Sequence, residues 1–579
     1  MDSKRQLLFA AVGLGVSIAA KIAFGFISQG RFWGINQLAY YPYPAAIVLN
    51  GLFIALVILC LNHKVVEKIN RFYIKWAANA RRVPAIPRAV ILVGLSFAIF
   101  YVFRDFTNLL GDGLLRIGEL QNKRLENFLN QHSAEPLDYL IHYFVYSNFL
   151  EPLKIKPIMC YQFISALAGI IYIYAARSLS KKIGGGKYKG FAFWYFFGWG
   201  GIMLFFGYVE SYALAAAVLM VLFSCGHDII HKRGNAWGFA LLFLLAFFLH
   251  NSLIVLLPAV AYLIYKRSDR INLRAITALS LLTLIVGGWT WISLTHRQSP
   301  GLLISGNLSE PGYTVFSSAH FGDIVNELFL ISPAFLTLIF LNIRGGENRA
   351  NHLRIYYGLA VLGGLGFLFL ADPVLGMGRD WDLFALPLLG FHVGLFAGVN
   401  WERIDIRIKA AILVLMLFST LTWIGVNRSE SASVERYKNI AGLDAARSRY
   451  AFERLGTYLL LYRNWQKAEE VYKLSLQKEP HYRTYLGLAY AQAQSGKSDS
   501  AEFNYEKALE LNPDQALALF SLCQAYIRDK KIVRARELFE RLKRIPTTGI
   551  VNISERGIRE LEENLIRAEQ ELVDTIGTK

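Results

Sequence analysis

Metal-binding and redox motifs are missing from this sequence. Its four cysteines, Cys60, Cys160, Cys225 and Cys523, are scattered over 579 residues with no CxxC pair, which excludes a disulfide framework and a cysteine-built metal site. There is no HExxH stretch, no serine nucleophile elbow and no dinucleotide fingerprint, so the familiar zinc-hydrolase, serine-hydrolase and nicotinamide classes drop out. The glycine-rich IGGGKYKG (183–190) lacks the Walker spacing and the final Ser or Thr. His227 and His231 are four apart, but no third ligand is near. Charge is scarce at 18%, and acids are outnumbered, 43 against 61 Lys plus Arg, for a formal charge of +18. From Arg428 onward the charges roughly balance, so the excess sits earlier, in short loops between apolar runs. That is a membrane-orientation pattern and gives no reason to invoke nucleic acid.

What is abundant is apolar sequence, 54% of the residues, in runs of about 17 to 22 that suffice to cross a bilayer as helix. The first run, Leu7 to Phe26, follows Lys4 and Arg5 and has no small-residue cleavage site after it; it reads as a retained signal anchor. With the N-terminus cytoplasmic, crossings are expected at 7–27, 43–62, 89–103, 157–176, 190–207, 210–226, 275–294, 326–343, 355–371, 383–399 and 410–425. The stretch 236–265 is too long for one crossing and carries His250-Asn251 at its middle, so it reads as two short helices. About thirteen spans result. Each inner loop is then basic: Lys64 to Arg88, Arg177 to Lys189, Lys232-Arg233, Lys266 to Arg274, Arg344 to Arg354, and Arg403 to Lys409.

Past Arg449 the hydropathy falls and a repeat begins. Gly456, Ala468, Tyr472 and Pro480 are answered 33 residues later by Ala489, Ala501, Tyr505 and Pro513, and a third unit offers Tyr526, Ala535 and Phe539. The stretch AEFNYEKALELNP (501–513) is very like the second helix of a tetratricopeptide repeat. Stacked helix pairs of this kind share one core and present a concave surface for a peptide or partner protein. The helix 555–575 looks like a polar cap. The expected chain is therefore all-α. A two-span hairpin and basic loop occupy 1–88, and a multi-span domain with an outer loop at 104–156 occupies 89–427. A linker covers 428–448, and an extracytoplasmic tetratricopeptide (TPR) α-solenoid covers 449–579. A bacterial inner membrane is favoured over the endoplasmic reticulum.

This topology gathers polar residues at the outer face: Asp105, Asp112, Glu135, Asp138, Glu210, Asp372, Asp380 and Asp382, with His142, His250, His320 and Arg379. In RDFTNLLGDGLLRIGEL (104–120), Gly111 and Gly113 flank Asp112, so the chain can turn sharply and leave the carboxylate accessible; Arg116 and Glu119 follow on one helix face. An interfacial loop with a helix cap is the plainer account. In AEPLDYLIHYF (134–144), Glu135, Asp138 and His142 share a face opposite Leu140 and Phe144, as in a helix lying in the interface. Glu210 in GYVESY (207–212) is a carboxylate at a span turn that needs a partner. His250 is a site candidate or a hydrogen-bonded turn residue. In MGRDWDLFALP (377–387), Arg379 offers a fork for phosphate oxygens and Trp381 a face for a sugar, while Asp380 and Asp382 suit sugar hydroxyls or hold Arg379.

A span ending in an acidic loop, an interfacial helix with a Pro-Leu-x-Tyr-Leu pattern and many further spans resemble the GT-C superfamily of multi-pass glycosyltransferases over roughly 89–425. Membrane mannosyltransferases with lumenal tetratricopeptide repeats resemble the domain order too. The resemblance implies a polyprenyl- or dolichyl-phosphate-sugar donor and an outer-loop Asp as base. Two features depart from it: the acidic loop follows the third span, not the first, and that loop holds no Asp-Glu or Asp-x-Asp pair, only Asp105 and Asp112 near each other. Asp112 first, Asp105 second and Glu210 third are thus the base candidates. Arg379 and Arg116 would stabilise the phosphate, with Glu135, Asp138, His142, His250, Asp380, Trp381 and Asp382 lining the site. The acceptor would be a protein or glycan, and inversion would follow from a single displacement. No metal or other cofactor is demanded. A ligase or polymerase joining lipid-linked glycans, a transporter, and a membrane-anchored repeat scaffold are the rival readings. Asn307, Asn427 and Asn552 head N-x-Ser acceptor tripeptides on the outer side.

Overall fold

The computed structural model of the chain describes residues 3–80, 82–122, 128–231, 233–267, 273–296, 302–304, 310–342, 351–545 and 553–577. It is all-helical: no strand occurs among the described residues, only one antiparallel bridge between Leu302 and Ala371. Asn307, Asn552, Lys232, Arg344 and Arg349 lie outside the described residues. The chain divides into two compact units, Met1–Ile440 and Ala441–Lys579.

The first unit opens with α1 (Ser3–Phe24), α2 (Tyr43–Leu61), the amphipathic α3 (His63–Ala80) and α4 (Ala85–Val102). Three short helices follow, α5 (Gly113–Gln121), α6 (Phe128–His132) and α7 (Pro136–Val145). Then come α8 (Pro157–Ile183), α9 (Gly185–Phe197), α10 (Tyr212–Ile230), α11 (Ala236–Leu249), α12 (Leu257–Arg267) and α13 (Leu273–His296). The unit ends with α14 (Ser318–Ile331), α15 (Phe335–Asn342), α16 (Asn351–Leu370), α17 (Trp381–Gly398), α18 (Ile406–Arg428) and α19 (Glu430–Ala441). Residues 428–448, expected as a linker, thus include a whole helix.

Nine helices among the described residues are long and apolar enough to cross a membrane: α1, α2, α4, α8, α10, α13, α16, α17 and α18. The other four expected crossings fall on shorter or broken elements. At 190–207, α9 stops and a 3-10 turn at Gly200–Phe205 follows; Gly200 lies so close to the Leu330 carbonyl that a methyl group there would overlap it. At 326–343, α14 and α15 meet at 89° around Pro333, which supplies no amide hydrogen to carry the helix through. The stretch 236–265 breaks at His250, where the sequence predicted it, into α11, a 3-10 turn at Asn251–Leu256 and α12.

Lipid offers no hydrophobic drive for helices to associate, so they pair through small residues that let backbones approach. α16 and α17 show this. A methyl on Gly364 would sit 2.7 Å from the Pro387 carbonyl oxygen, and one on Gly394 would sit 2.8 Å from that of Tyr357. α17 is consequently buried along almost its whole length.

The second unit consists of α20 (Ala445–Leu461), α21 (Trp465–Lys478), α22 (Tyr482–Gln494), α23 (Ser498–Leu511), α24 (Ala516–Arg528), α25 (Ile532–Arg544) and α26 (Glu555–Gly577). The first six form three successive helix pairs, and the Ala468, Ala501 and Ala535 of the repeat are all buried. Tyr472 fills a slot between two glycines: a methyl on Gly456 would come within 2.6 Å of its Cζ, and one on Gly487 would overlap the same ring. The unit has its own apolar core from Ala489 to Leu565. Expressed alone, 441–579 should be soluble and helical with a cooperative urea transition; Gly487→Ala should lower its stability by about 1–3 kcal/mol through overpacking. Circular dichroism during urea titration checks both, and an unstructured product would show that the unit folds only with the rest of the chain.

Candidate functional site

Three connections meet at one end of the helical bundle: the loop after α4, the loop before α10 and the loop before α17. Backbone hydrogen bonds stitch them together. The Asp105 amide donates to the Phe206 carbonyl at 2.7 Å, and the Gly111 amide to the Arg379 carbonyl at 2.9 Å; the Phe106 amide reaches the Asn427 carbonyl at the end of α18 at 3.0 Å. Asn427 itself is buried, its side-chain amide bound to the Trp423 carbonyl at 2.9 Å.

Gly111 is the hinge of the arrangement. Its φ of +62° lies in the left-handed region that side chains disfavour. A methyl there would stand 2.6 Å from Glu210 Oε1 and 2.8 Å from Asp382 Oδ2. Two buried carboxylates therefore close on one glycine, Glu210 from the connection before α10 and Asp382 from the first turn of α17. Glu210 Oε1 also accepts the Asp112 amide in a short hydrogen bond. Asp112 and Asp380 lie nearby and are half-buried, and both add like charge to Glu210. Asp382 is fully buried, and neither oxygen has a hydrogen-bond partner among the described residues.

On the other side of Asp112, α5 presents Arg116. Its Nη1 lies 2.8 Å from Glu135 Oε1 and its Nε 3.7 Å from Glu210 Oε2. Desolvation pulls the guanidinium down, but Glu135 first and Glu210 next outweigh it and hold it well above its ordinary value. His132 completes the group, with Nδ1 3.3 Å from Arg116 Nη1 and its ring stacked 3.6 Å from Tyr139. Arg116 is thereby engaged by two carboxylates. Arg379 is not: it is buried, its Nε lacks a hydrogen-bond partner, and no ion pair ties it among the described residues.

The remaining expected residues sit differently. Asp105 closes its own turn, accepting from the Asn108 amide at 3.1 Å and the Thr107 amide at 3.4 Å; burial pushes its carboxyl up to about 7 against those bonds. Asp138 and His142 pair within α7 at 3.2 Å, and the His142 ring stacks on Tyr161 at 4.1 Å. The polar face of α7 turns inward, while Leu140 and Phe144 are exposed. His250 Nδ1 meets Ser252 Oγ at 2.8 Å and the ring packs 4.7 Å from Tyr212. His320 is placed with Tyr313 and the Phe369 carbonyl. Among the described residues no three His, Cys, Asp or Glu groups are arranged to hold a metal ion.

An aromatic wall leads away from the carboxylates. Tyr208 packs edge-on to Trp381 at 5.4 Å, and Trp381 edge-on to Trp423 at 5.5 Å. Arg436 of α19 lies over Trp423 at 4.3 Å and donates to the Trp33 carbonyl at 3.3 Å; burial lowers its guanidinium to about 10. Trp33 donates in turn to Asp323 at 2.9 Å. Glu327, one helical turn on, is fully buried, and neither oxygen is hydrogen-bonded among the described residues. The sequence reading missed His132, Tyr208, Tyr212, Arg436 and Glu327. Glu327 had a visible signal, an acid inside an apolar crossing. Arg436 had none, because it falls in the stretch read as linker.

A family model described as the EpsG family matches residues 116–439, more than half of the chain. The chain belongs to the EpsG family. It is a family of membrane polymerase- and glycosyltransferase-like proteins, so at a coarse level this EpsG-family chain is a membrane glycosyltransferase-type enzyme acting on lipid-linked glycans. The matched region takes in Arg116, Glu135, Glu210, Arg379 to Asp382 and Arg436, and begins after Asp105 and Asp112. No curated protein matches the chain.

In the EpsG-family chain, Glu210 titrates against burial. Desolvation comes first, and with the like charges of Asp112 and Asp380 it outweighs Arg116, pushing the carboxyl up to about 8 from 4.5. The folded chain then holds a proton that the unfolded chain has lost between those values, so this group's contribution to stability falls as pH rises from about 4.5 to about 8 and is level beyond. Glu210→Gln keeps the acceptor oxygen for Asp112 and removes the titration. Its thermal midpoint in detergent should decline less than that of the wild type between pH 5 and 8; parallel curves would contradict the burial argument.

Proposed function

We propose that the chain transfers a sugar from a lipid-phosphate-linked donor to a glycan or protein acceptor, with Asp112 as the base. The half-buried carboxylate beside two buried ones supports this choice. Asp105 is engaged in its own turn, and Glu210 is anchored by Arg116 and the Asp112 amide, which makes Glu210 a positioning residue. The acceptor hydroxyl oxygen attacks the anomeric carbon as its proton passes to Asp112. The bond from that carbon to the phosphate oxygen breaks, the phosphate leaves with the electron pair, and the configuration inverts. The phosphate carries its own negative charge and needs a cation, not an acid. Arg379, buried with no ion pair among the described residues, is suited to that role.

Family membership favours a second version of the same chemistry, in which donor and acceptor are both lipid-linked glycans and the product is a polymer. Under either version the second unit is a surface for an acceptor or partner, in keeping with its likeness to tetratricopeptide repeats. Asp112→Asn should cut transfer about 100- to 10,000-fold, the usual range for loss of a general base, with donor binding retained. Arg379→Ala should weaken donor binding and turnover together. Donor affinity and transfer rate in liposomes separate the two, and a lipid-monophosphate sugar compared with a lipid-diphosphate oligosaccharide separates the two donors. Near-normal transfer by Asp112→Asn would remove it as base.

A further inference from the structure

The basic stretch after α2 is a helix of a particular kind. α3 runs from His63 to Ala80, about 27 Å at 1.5 Å per residue. Its N-terminal end is joined to the spanning helix α2 by Asn62 alone, and its C-terminal end to the spanning helix α4 by the short connection 81–84. Both ends are therefore held at the same edge of the bilayer. A helix of that length tied at both ends to one edge lies along the surface.

Two stripes run down it. Val65, Ile69, Phe72 and Trp76 share one face, and Ile69, Phe72 and Trp76 are 59%, 72% and 59% exposed. Lys64, Lys68, Arg71 and Lys75 repeat the same spacing one residue earlier, on the adjoining face, all exposed. Ile74 alone interrupts the polar side. Glu67 offsets little, meeting Arg71 at 3.6 Å in a solvated pair. The side opposite the basic row is fixed to the protein: Val66 is buried, and Tyr73 packs against Gly190 of α9, where a methyl would lie 2.6 Å from its ring. The apolar stripe thus lies exposed between the protein-facing side and the basic row, at headgroup depth and beside four cations.

We propose that α3 is a binding surface for anionic phospholipid, with Ile69, Phe72 and Trp76 set into the acyl boundary and Lys64, Lys68, Arg71 and Lys75 gathering the headgroups of one leaflet. Apolar insertion gives the depth and the basic row gives the selectivity. Each cation near an anionic surface favours binding by roughly fivefold, less as salt rises.

The test uses the full chain with its four cysteines replaced, in vesicles of equal phosphatidylglycerol and phosphatidylcholine. A nitroxide at Phe72→Cys should be open to oxygen and shielded from a water-soluble nickel chelate, and one at Arg71→Cys should show the reverse. Native mass spectrometry from mixed nanodiscs should find phosphatidylglycerol retained in several-fold excess. Lys64→Gln, Lys68→Gln, Arg71→Gln and Lys75→Gln together should abolish that excess while the Phe72 label stays shielded. A water-accessible Phe72 label, or equal retention of both lipids by the wild type, overturns the proposal; the first result would assign the face to solvent or to a protein partner. Neither readout uses sugar transfer, so this surface and the reaction stand or fall separately.

Discussion

The polar end of the membrane unit depends on Gly111 having no side chain. Its amide holds the α17 approach through the Arg379 carbonyl, and the next amide holds the α10 approach through Glu210. Because both hydrogen bonds leave consecutive residues of one tight turn, the spacing of the two loops that lead into α10 and α17 is set by a few backbone atoms. Everything proposed for the site follows from that short bridge: Glu210 and Asp382 are brought together at Gly111, Asp112 stands half-buried beside them, and Arg379 is carried in with no ion pair among the described residues. Burying two carboxylates side by side is costly. Arg116 offsets part of that cost on the Glu210 side only, and a site under such tension is where unusual proton affinities are useful.

Much of this was legible in the sequence because membranes punish polar residues. Asp112, Glu210 and Arg379 to Asp382 stood out as polar groups at the ends of apolar runs, and the structure brings them together. The all-helical architecture and most crossings were legible for the same reason. Partnerships were not. Asp105 and Asp112 look alike in a one-dimensional reading, yet one is fully buried in an Asx-type turn and the other is half-buried beside Glu210. Arg116, expected as a phosphate ligand, is taken up by Glu135 and Glu210, and Glu135 comes from a helix that periodicity alone would place at the lipid surface. Two of the missed breaks in the crossings turn on single residues, Gly200 against the Leu330 carbonyl and Pro333 between α14 and α15, and hydropathy averages over both.

The family match and the likeness to tetratricopeptide repeats touch different parts of the chain. The EpsG match covers the carboxylate partners, Arg379 and the aromatic wall out to Arg436. It stops before the repeat unit and begins after Asp112. The residue proposed to take the proton sits on the loop just before the matched region and is held there by Glu210, which lies within it.

The close pairing of α16 with α17 bears on how the protein is made. α17 is the least apolar of the nine crossing helices, and it brings Asp382 into the membrane at its first turn. Alone in lipid it would be the span most prone to slip back out. Its glycines accept the neighbouring backbone only if that neighbour is already present, and the chain supplies α16 immediately before it. The helix that bears the buried carboxylate is therefore suited to entering the bilayer as the second half of a preassembled hairpin, so that the order of synthesis, and not hydrophobicity, secures its place.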